Sequence, residues 1–565
     1  MMTMNWSPKP LPNEDKVKFL QSEIGVPYEI ASLLIQREIE DFDTARSFFR
    51  PELSDLHDPF LMLGMREAVD RMLSAIDQEE KIMVYGDYDV DGTTAVALLF
   101  SFLKQNHPHC LYYIPDRYEE GYGISFKGID HAKAEKISLI IALDCGIKAV
   151  DKVAYAQTLG IDFIICDHHL PGEELPPAIA ILDPKQADCN YPFKDLCGCG
   201  IGFKLIHALT LKMGGKIDDI LSFMDLVAMA IAADIVPMKG ENRVITHFGI
   251  QQINENPRLG IRFFIHQLKR KINVSDLVFI IAPRINGAGR IQHGSHAVDL
   301  LLSEDKEEAL LRARTIELFN SERKELDLKI TAQALDQIKQ NKEEALYSTV
   351  VFQPDWHKGV LGIVASRLIE TYYRPTVVFT VSGAFYTASV RSVKGVDVYQ
   401  ILESCKKHIV QFGGHRYAAG LTITPENYLP FKKAFEAAVE KVILPEQRIP
   451  TTTYDLELAL DKITPKFHRI MEQMAPFGPG NMRPVFLTKD CLDGGGTKAV
   501  GQDQSHLKLE VIDSSSARLS GIGFGMANYI SKIKSRDFFQ IIYTVEENDF
   551  RGQRSLQLKL KDLKF

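Results

Sequence analysis

Three carboxylates at alternate positions, Asp87, Asp89 and Asp91, follow the short apolar run Ile82-Met83-Val84-Tyr85 and precede Gly92. A run of that length reads as a buried strand. Gly86 ends it, Gly92 lets the chain turn, and Thr93 or Thr94 is placed to cap an apolar helix starting at Ala95. Three acids crowded at a strand-to-helix turn repel one another, and a fold accepts them most readily with cations between them. Hard oxygen ligands of this kind suit magnesium or manganese. The competing reading is a solvated acidic loop, and the rest of the chain decides between the two.

The elements that position these acids read as alternating strands and helices. Residues 111–114, 139–143, 163–166 and 179–182 are further strand-like runs. Such alternation builds a parallel sheet covered on both faces, with its ligand site beyond the carboxyl ends of the strands. Asp144 stands at such an end, as does Asp167-His168-His169. Asp183 does too, although Pro184 makes a turn role equally good. Asp234 ends the apolar helix 226–233, where the dipole disfavours an acid, so something else must compensate it. Each is ordinary alone, since an Asp after a strand is more often a cap or turn residue. Together Asp89, Asp91, Asp144, His168 and Asp234 fall on one edge of one sheet. That set suffices for two divalent ions about 3.5–4 Å apart, bridged by one carboxylate. Such a centre activates a water and neutralises phosphoryl charge, so the expected chemistry is hydrolysis of a phosphate ester or anhydride.

Composition bounds the alternatives. A chain of 565 residues is long enough for about three or four domains. Its 45% apolar and 25% charged content is that of soluble globular protein. With a net charge of −8 there is no global signature for nucleic acid, so a site for it must be a local basic groove. The eight cysteines show no framework spacing, and Cys197-Gly198-Cys199 is too tight for a zinc knuckle. Reduced thiols in a cytoplasmic protein are expected. The first residues contain no apolar signal region, and no run approaches membrane-spanning length.

The set Asp87-Tyr88-Asp89-Val90-Asp91-Gly92, Asp144-Cys145-Gly146, Asp167-His168-His169 and Ala233-Asp234-Ile235-Val236-Pro237 resembles the DHH phosphoesterase superfamily, in the superfamily's order. The resemblance implies Mn²⁺ or Mg²⁺, two ions in all. Asp89 would hold one and Asp91 the other, Asp144 would bridge, and His168 and Asp234 would complete the second. Many members carry a His four residues before the first Asp of the D-x-D pair. Here that position is Tyr85 and Asp87 is extra, so the first ion's shell stays open, with Asp87 a candidate substitute.

Later segments add anion-binding candidates. The first 60 residues read as a small helical lead-in. In 283–290, PRINGAGR, the glycines allow close backbone approach, and Arg284 and Arg290, with Asn286, suit phosphate oxygens; the competing reading is a tight turn with solvated arginines. Ser303 is placed to cap a long connecting helix. From 347 to 440 a second α/β unit is expected, with Ser389 and Arg391 in one short stretch and a Gly-rich turn, Gly413-Gly414-His415. Glycine pairs permit backbone amides to face an anion. This unit resembles the DHH-associated domain, whose Gly-Gly-His turn closes over substrate. The tail reads as short strands with glycine turns, which suggest a small barrel of OB type that binds single strands through a basic groove.

With that tail, the stretches 284–290, 356–363 and Pro476-Phe477-Gly478-Pro479-Gly480-Asn481 resemble the RecJ exonuclease family from about residue 50 onward. The expected fold class is therefore α/β. A DHH domain with a parallel sheet (61–255) follows the lead-in (1–60). A helical connector (256–340), a DHH-associated α/β domain (341–445) and an OB-type barrel (446–565) come next. The resemblance implies 5′-to-3′ hydrolysis of single-stranded DNA by two metal ions in recombination and repair. His169 would orient a ligand or the water, and His415 would contact the scissile phosphate or aid proton transfer. Arg284, Arg290, Ser389 and Arg391, and less strongly Arg117, would hold the 5′-phosphate. It also implies a monomer, with a single-strand-binding protein and a repair helicase as partners. Two rivals are a phosphodiesterase of small substrates in the same superfamily and a non-catalytic single-strand-binding scaffold.

Overall fold

A computed structural model describes residues 4–268, 270–535, 537–550 and 552–565. The chain divides into two compact units. The larger contains 8–289, 293–316 and 453–565, and the smaller contains 290–292, 317–452 and the described residues through Ser7.

The larger unit contains a five-stranded parallel sheet. Its spatial order is Cys110–Tyr113, Ile82–Gly86, Leu139–Leu143, Asp162–Cys166, Ala180–Leu182. The central strands are buried on both faces, which is why they read as unbroken apolar runs. One face packs Met83, Tyr85, Ile140, Ala142, Phe163 and Ile165 against Ile129, Ala132, Val153 and Ala156. In chain order the sheet runs 2-1-3-4-5. Its topological switch therefore lies between Ile82–Gly86 and Leu139–Leu143, where the ends of two strands leave a crevice.

Two element boundaries differ from the sequence reading. The helix expected at Ala95 is Val90–Asn106, and its cap is Asp89, which accepts the Gly92 N–H at 3.1 Å. Thr93 and Thr94 instead donate to the carbonyls of Asp89 and Val90. Asp91 thus belongs to the first helical turn. Likewise the long helix, Lys306–Gln340, is capped by Asp305, which accepts from Glu307 N and Glu308 N, while Ser303 donates to Asp299 O.

The C-terminal strands close a ring. Phe486–Asp493 pairs with Phe539–Phe550, which pairs with Gln553–Lys564; that strand pairs with Arg518–Gly523, and Arg518–Gly523 with His506–Ile512. The ring shuts where Leu492 meets Ile512 and Asp493 meets Val511. The N-terminal helices Glu14–Ile24 and Tyr28–Ile35 share this barrel's core: Leu20, Leu33 and Leu34 pack in one apolar cluster with Phe467, Leu509 and Ile541.

The smaller unit has a five-stranded mixed sheet in the order Gln411–His415, Ala418–Ile423, Phe385–Arg391, Thr376–Ser382, Thr349–Phe352. Gly413 and Gly414, read as a turn, lie in the edge strand of a hairpin whose turn is Arg416-Tyr417. The run 411–415 alternates too little to look like a strand, yet its partner 418–423 fixes it by register.

Candidate active site

Four donors from four separate elements meet at the switch point. Asp91 comes from the first turn of Val90–Asn106, Asp144 follows Leu139–Leu143, His168 follows Asp162–Cys166, and Asp234 caps the C-terminus of Met224–Ala233. His168 Nε2 lies 3.2 Å from Asp144 Oδ1, 3.7 Å from Asp234 Oδ2 and 3.9 Å from Asp91 Oδ2. Ligand atoms of Asp91, His168 and Asp234 all lie within 4.8 Å of one another, as do those of Asp144, His168 and His169.

Asp91 is aimed by main-chain amides. Its Oδ2 accepts from Gly198 N and its Oδ1 from Cys199 N, each at 2.7 Å, at the start of helix Gly198–Lys212. Asp144 sits in the left-handed region with φ 60°, which an Asp tolerates better than most residues and which turns its side chain into the crevice.

The electrostatics of the cluster are those of a cation site. Burial, with the charge of Asp89, pushes Asp91 up to about 6. Burial and the charge of Asp91 push Asp234 up to about 7 and raise Asp144 well above the carboxylate range. Asp87 is raised by burial and by Asp89, with the amides of Tyr88 and Gly123 and the charge of Arg117 opposing the rise only in part. Among the described residues Asp144 Oδ1 has no hydrogen-bond donor. Mutually repelling carboxylates with a buried His168, which burial holds neutral, form a donor set that fits hard divalent cations. Asp89 joins the group as the half-buried helix cap.

His169 stands beside this set. Asp167 Oδ1 takes its Nδ1 at 2.7 Å, and the same carboxylate accepts from the amides of Ile147, His168 and His169. Burial pulls the imidazole down, but the Asp167 bond and charge outweigh that and leave it above the ordinary value. The Tyr122 hydroxyl lies 3.3 Å from His169 Nε2 and donates to Asp144 O at 3.1 Å. The sequence reading passed over Tyr122. Its signal was the flanking Gly121 and Gly123, both with positive φ, which set a tyrosine at a sharp bend.

The remaining anion-binding candidates fall elsewhere. Arg117 lies over the Tyr88 ring, 4.2 Å from its centroid. The 283–290 stretch is not a turn but part of helix Ala282–Ile291. Arg284 there donates to Ile280 O and covers the Phe264 ring, and Asn286 is half-buried. Gly289 gives close approach, but to a backbone: a Cβ there would sit 2.7 Å from Tyr88 O. In the smaller unit Arg290 donates to Gly359 O. Arg391 donates to Ser389 Oγ at 3.2 Å and Val390 O at 2.8 Å. Among the described residues no carboxylate pairs with Arg391, and burial lowers its pKa. Gly362, in the first turn of helix Leu361–Thr371, lies against this pair, so a Cβ there would meet Arg391 Nη2 at 2.6 Å. A half-buried guanidinium with no carboxylate partner among the described residues, a hydroxyl and a helix N-terminus are groups that suit an anion. Gly413, Gly414 and His415 are exposed on their edge strand.

Comparison with known proteins follows this division. Residues 81–231 match the DHH family, N-terminal domain; 323–441 match the DHHA1 domain; 454–562 match the RecJ OB domain. The single-stranded-DNA-specific exonuclease RecJ of Bacillus subtilis is 36% identical over 556 residues, spanning 98% of this chain and 70% of that one. The crystal structure of Thermus thermophilus RecJ in complex with Mn²⁺ superposes with a TM-score of 0.86 at 25% identity, covering 100% of this chain and 80% of that one. The Mg²⁺ complex of the same protein gives 0.78 at 24% identity, covering 100% and 78%. No helix among the described residues is long and apolar enough to cross a membrane. By its domains, its fold and its identity along nearly its whole length, the chain belongs to the RecJ family of single-stranded-DNA-specific exonucleases.

Proposed function

We infer that this protein is a metal-dependent exonuclease that hydrolyses single-stranded DNA from the 5′ end. The observation that carries the reading is the meeting of Asp91, His168 and Asp234 ligand atoms within 4.8 Å, with Asp144 3.2 Å from His168. Asp91, Asp144, His168 and Asp234, with Asp89 and Asp87 beside them, are the proposed holders of the divalent cations, Mn²⁺ or Mg²⁺. When bound, such ions activate a water and neutralise charge on the phosphoryl oxygens.

The chain's own residues do the rest. The Gly198 and Cys199 amides hold Asp91 in one rotamer, so the donor set is preorganised. Asp167 holds His169 through Nδ1, and Nε2 faces the Tyr122 hydroxyl, so the imidazole is placed to orient a ligand or the attacking water. Arg391 and Ser389 take the terminal 5′-phosphate, a fork for its charge and a hydroxyl for a third oxygen. His415 meets the phosphate being cut, and the 454–562 barrel holds the strand beyond it. Arg117, Arg284, Asn286 and Arg290 serve as secondary backbone contacts at most, since the three arginines are engaged by rings or carbonyls. A monomer in the cytoplasm, working with a single-strand-binding protein and a repair helicase, completes the proposal.

The test is product release from oligonucleotides labelled at one end, with Mn²⁺ present. Mononucleotides released first from the 5′ end of single strands, and little from duplex, are expected. Release first from the 3′ end, or equal cutting of duplex, overturns the reading. Cleavage confined to dinucleotides would favour the small-substrate rival.

A further inference from the structure

Asp234 is the donor with the weakest local support. It sits at the C-terminal end of helix Met224–Ala233, where the dipole opposes a carboxylate. The next residue, Ile235, is β-branched yet has φ 59°, and it is 65% exposed. Such a conformation is strained for a β-branched residue and persists only where the surroundings enforce it. An exposed side chain does not supply that enforcement. The first buried residue after Asp234 is Met238, only 1% exposed.

Met238 is held by the barrel domain. Its N–H donates to Pro479 O at 2.6 Å. Pro479 and Gly480 are the central residues of a tight turn, in which Asn481 N donates to Gly478 O at 2.9 Å. Proline at the second position and a glycine with φ 77° at the third are the signature of a type II turn, whose middle peptide presents the Pro479 carbonyl. Gly478 packs on Met238 and Gly480 on Lys239.

The turn is itself anchored. Asn481 is buried and donates to Met474 O and Pro476 O, while its Oδ1 accepts from Arg37 Nε. Arg243, on the helix after the Asp234 loop, donates to the carbonyls of Phe48, Met474, Ala475 and Pro476. Asn242 closes the same loop by donating to Pro237 O at 3.0 Å.

We propose that the Pro476–Asn481 turn of the barrel domain is a positioning element for Asp234, so that the barrel sets the cation affinity of the catalytic domain as well as holding the strand. This rests on the reading of Asp234 as a metal ligand. Pro479, Gly480 and Asn481 act through Met238.

The experiment is Mn²⁺ binding to the full-length, metal-stripped protein, followed by the electron paramagnetic resonance of the free ion. Melting temperature and single-strand binding without cation are measured alongside. Gly480→Ala disfavours the left-handed turn residue and swings the Pro479 carbonyl away. It is expected to weaken Mn²⁺ about tenfold, the low end for an outer-shell partner, with cation-free DNA binding unchanged. Asp234→Asn is the reference and weakens Mn²⁺ more. If Asp234→Asn weakens Mn²⁺ and Gly480→Ala stays within about twofold of wild type, the positioning role is overturned. If Asp234→Asn itself changes nothing, the ligand assignment falls and the proposal with it. Should Gly480→Ala be unfolded at the assay temperature, Gly478→Ala, whose Cβ would press on the Met238 side chain at 3.0–3.1 Å, takes its place: a loss of Mn²⁺ affinity supports the proposal, and a wild-type isotherm overturns it.

Discussion

Gly198 lies so close to Asp144 that a Cβ at position 198 would stand 2.5 Å from the Asp144 Cβ and 2.7 Å from its Oδ1. The same glycine's amide donates to Asp91. One small residue at a helix start thus sets the spacing of two proposed ligands. Gly198→Ala is expected to push Asp144 out of the cluster, weakening Mn²⁺ and slowing hydrolysis by about 10–100-fold. Metal titration with far-UV circular dichroism checks this; a folded variant with wild-type Mn²⁺ affinity would contradict it.

Asp144→Asn separates charge from backbone strain, since Asn also tolerates φ near 60°. Loss of the Asp144 charge should lower the rate at least about a thousandfold, or about 4 kcal/mol in the barrier, with the melting temperature held or raised. The rise follows because burial and Asp91 oppose the charged form. A rate within about tenfold of wild type would remove Asp144 from the ligand set.

The sheet and most strands were legible because buried parallel strands leave unbroken apolar runs such as Leu139–Leu143. The helix start at Val90 was misplaced because Asp89 was weighed as a ligand when it is also the cap. Residues 283–290 carry the Gly and Pro of a turn, yet the chain is helical without a break from Val274 to Ile291; Pro283 follows directly on the π segment Leu277–Ile281, where the ordinary hydrogen-bond ladder is already interrupted, and Gly289 is demanded by Tyr88. Asp144 and His168 are singled out by their places after strands, Asp91 by a strand-to-helix turn and Asp234 by the end of an apolar helix. Their aim was not legible, since it depends on the Gly198 amide and the Pro479 carbonyl, each far away in sequence.

His207 offers a pH test of stability. It is buried, its Nδ1 has no hydrogen-bond partner among the described residues, and burial with the charge of Lys204 pulls it down to about 4. A depressed pKa means the unfolded chain takes a proton that the folded chain refuses. Stability is therefore full above the unfolded value of about 6.5 and falls as the pH drops from there towards 4. The loss should total roughly 1–3 kcal/mol. Denaturant midpoints of wild type and His207→Gln across that range check it; parallel curves for the two would show that His207 is not responsible.

The 5′ end differs from an internal position by a terminal phosphate with extra charge. Arg391 is suited to read it because it is a half-buried cation with Ser389 Oγ at 3.2 Å, beside a helix N-terminus. Wild type should therefore prefer 5′-phosphate over 5′-hydroxyl ends. Arg391→Ala should lose much of that preference, by about 1.5–3 kcal/mol for one charged hydrogen-bonding group. Because it removes an end contact and not a groove contact, the salt dependence of strand binding should change little. Arg391→Lys keeps the charge but not the fork, and should rescue in part. Initial rates on oligonucleotides matched except at the 5′ end make the measurement. Equal slowing of both ends by Arg391→Ala would make Arg391 a general backbone contact and move the end-reading pocket elsewhere.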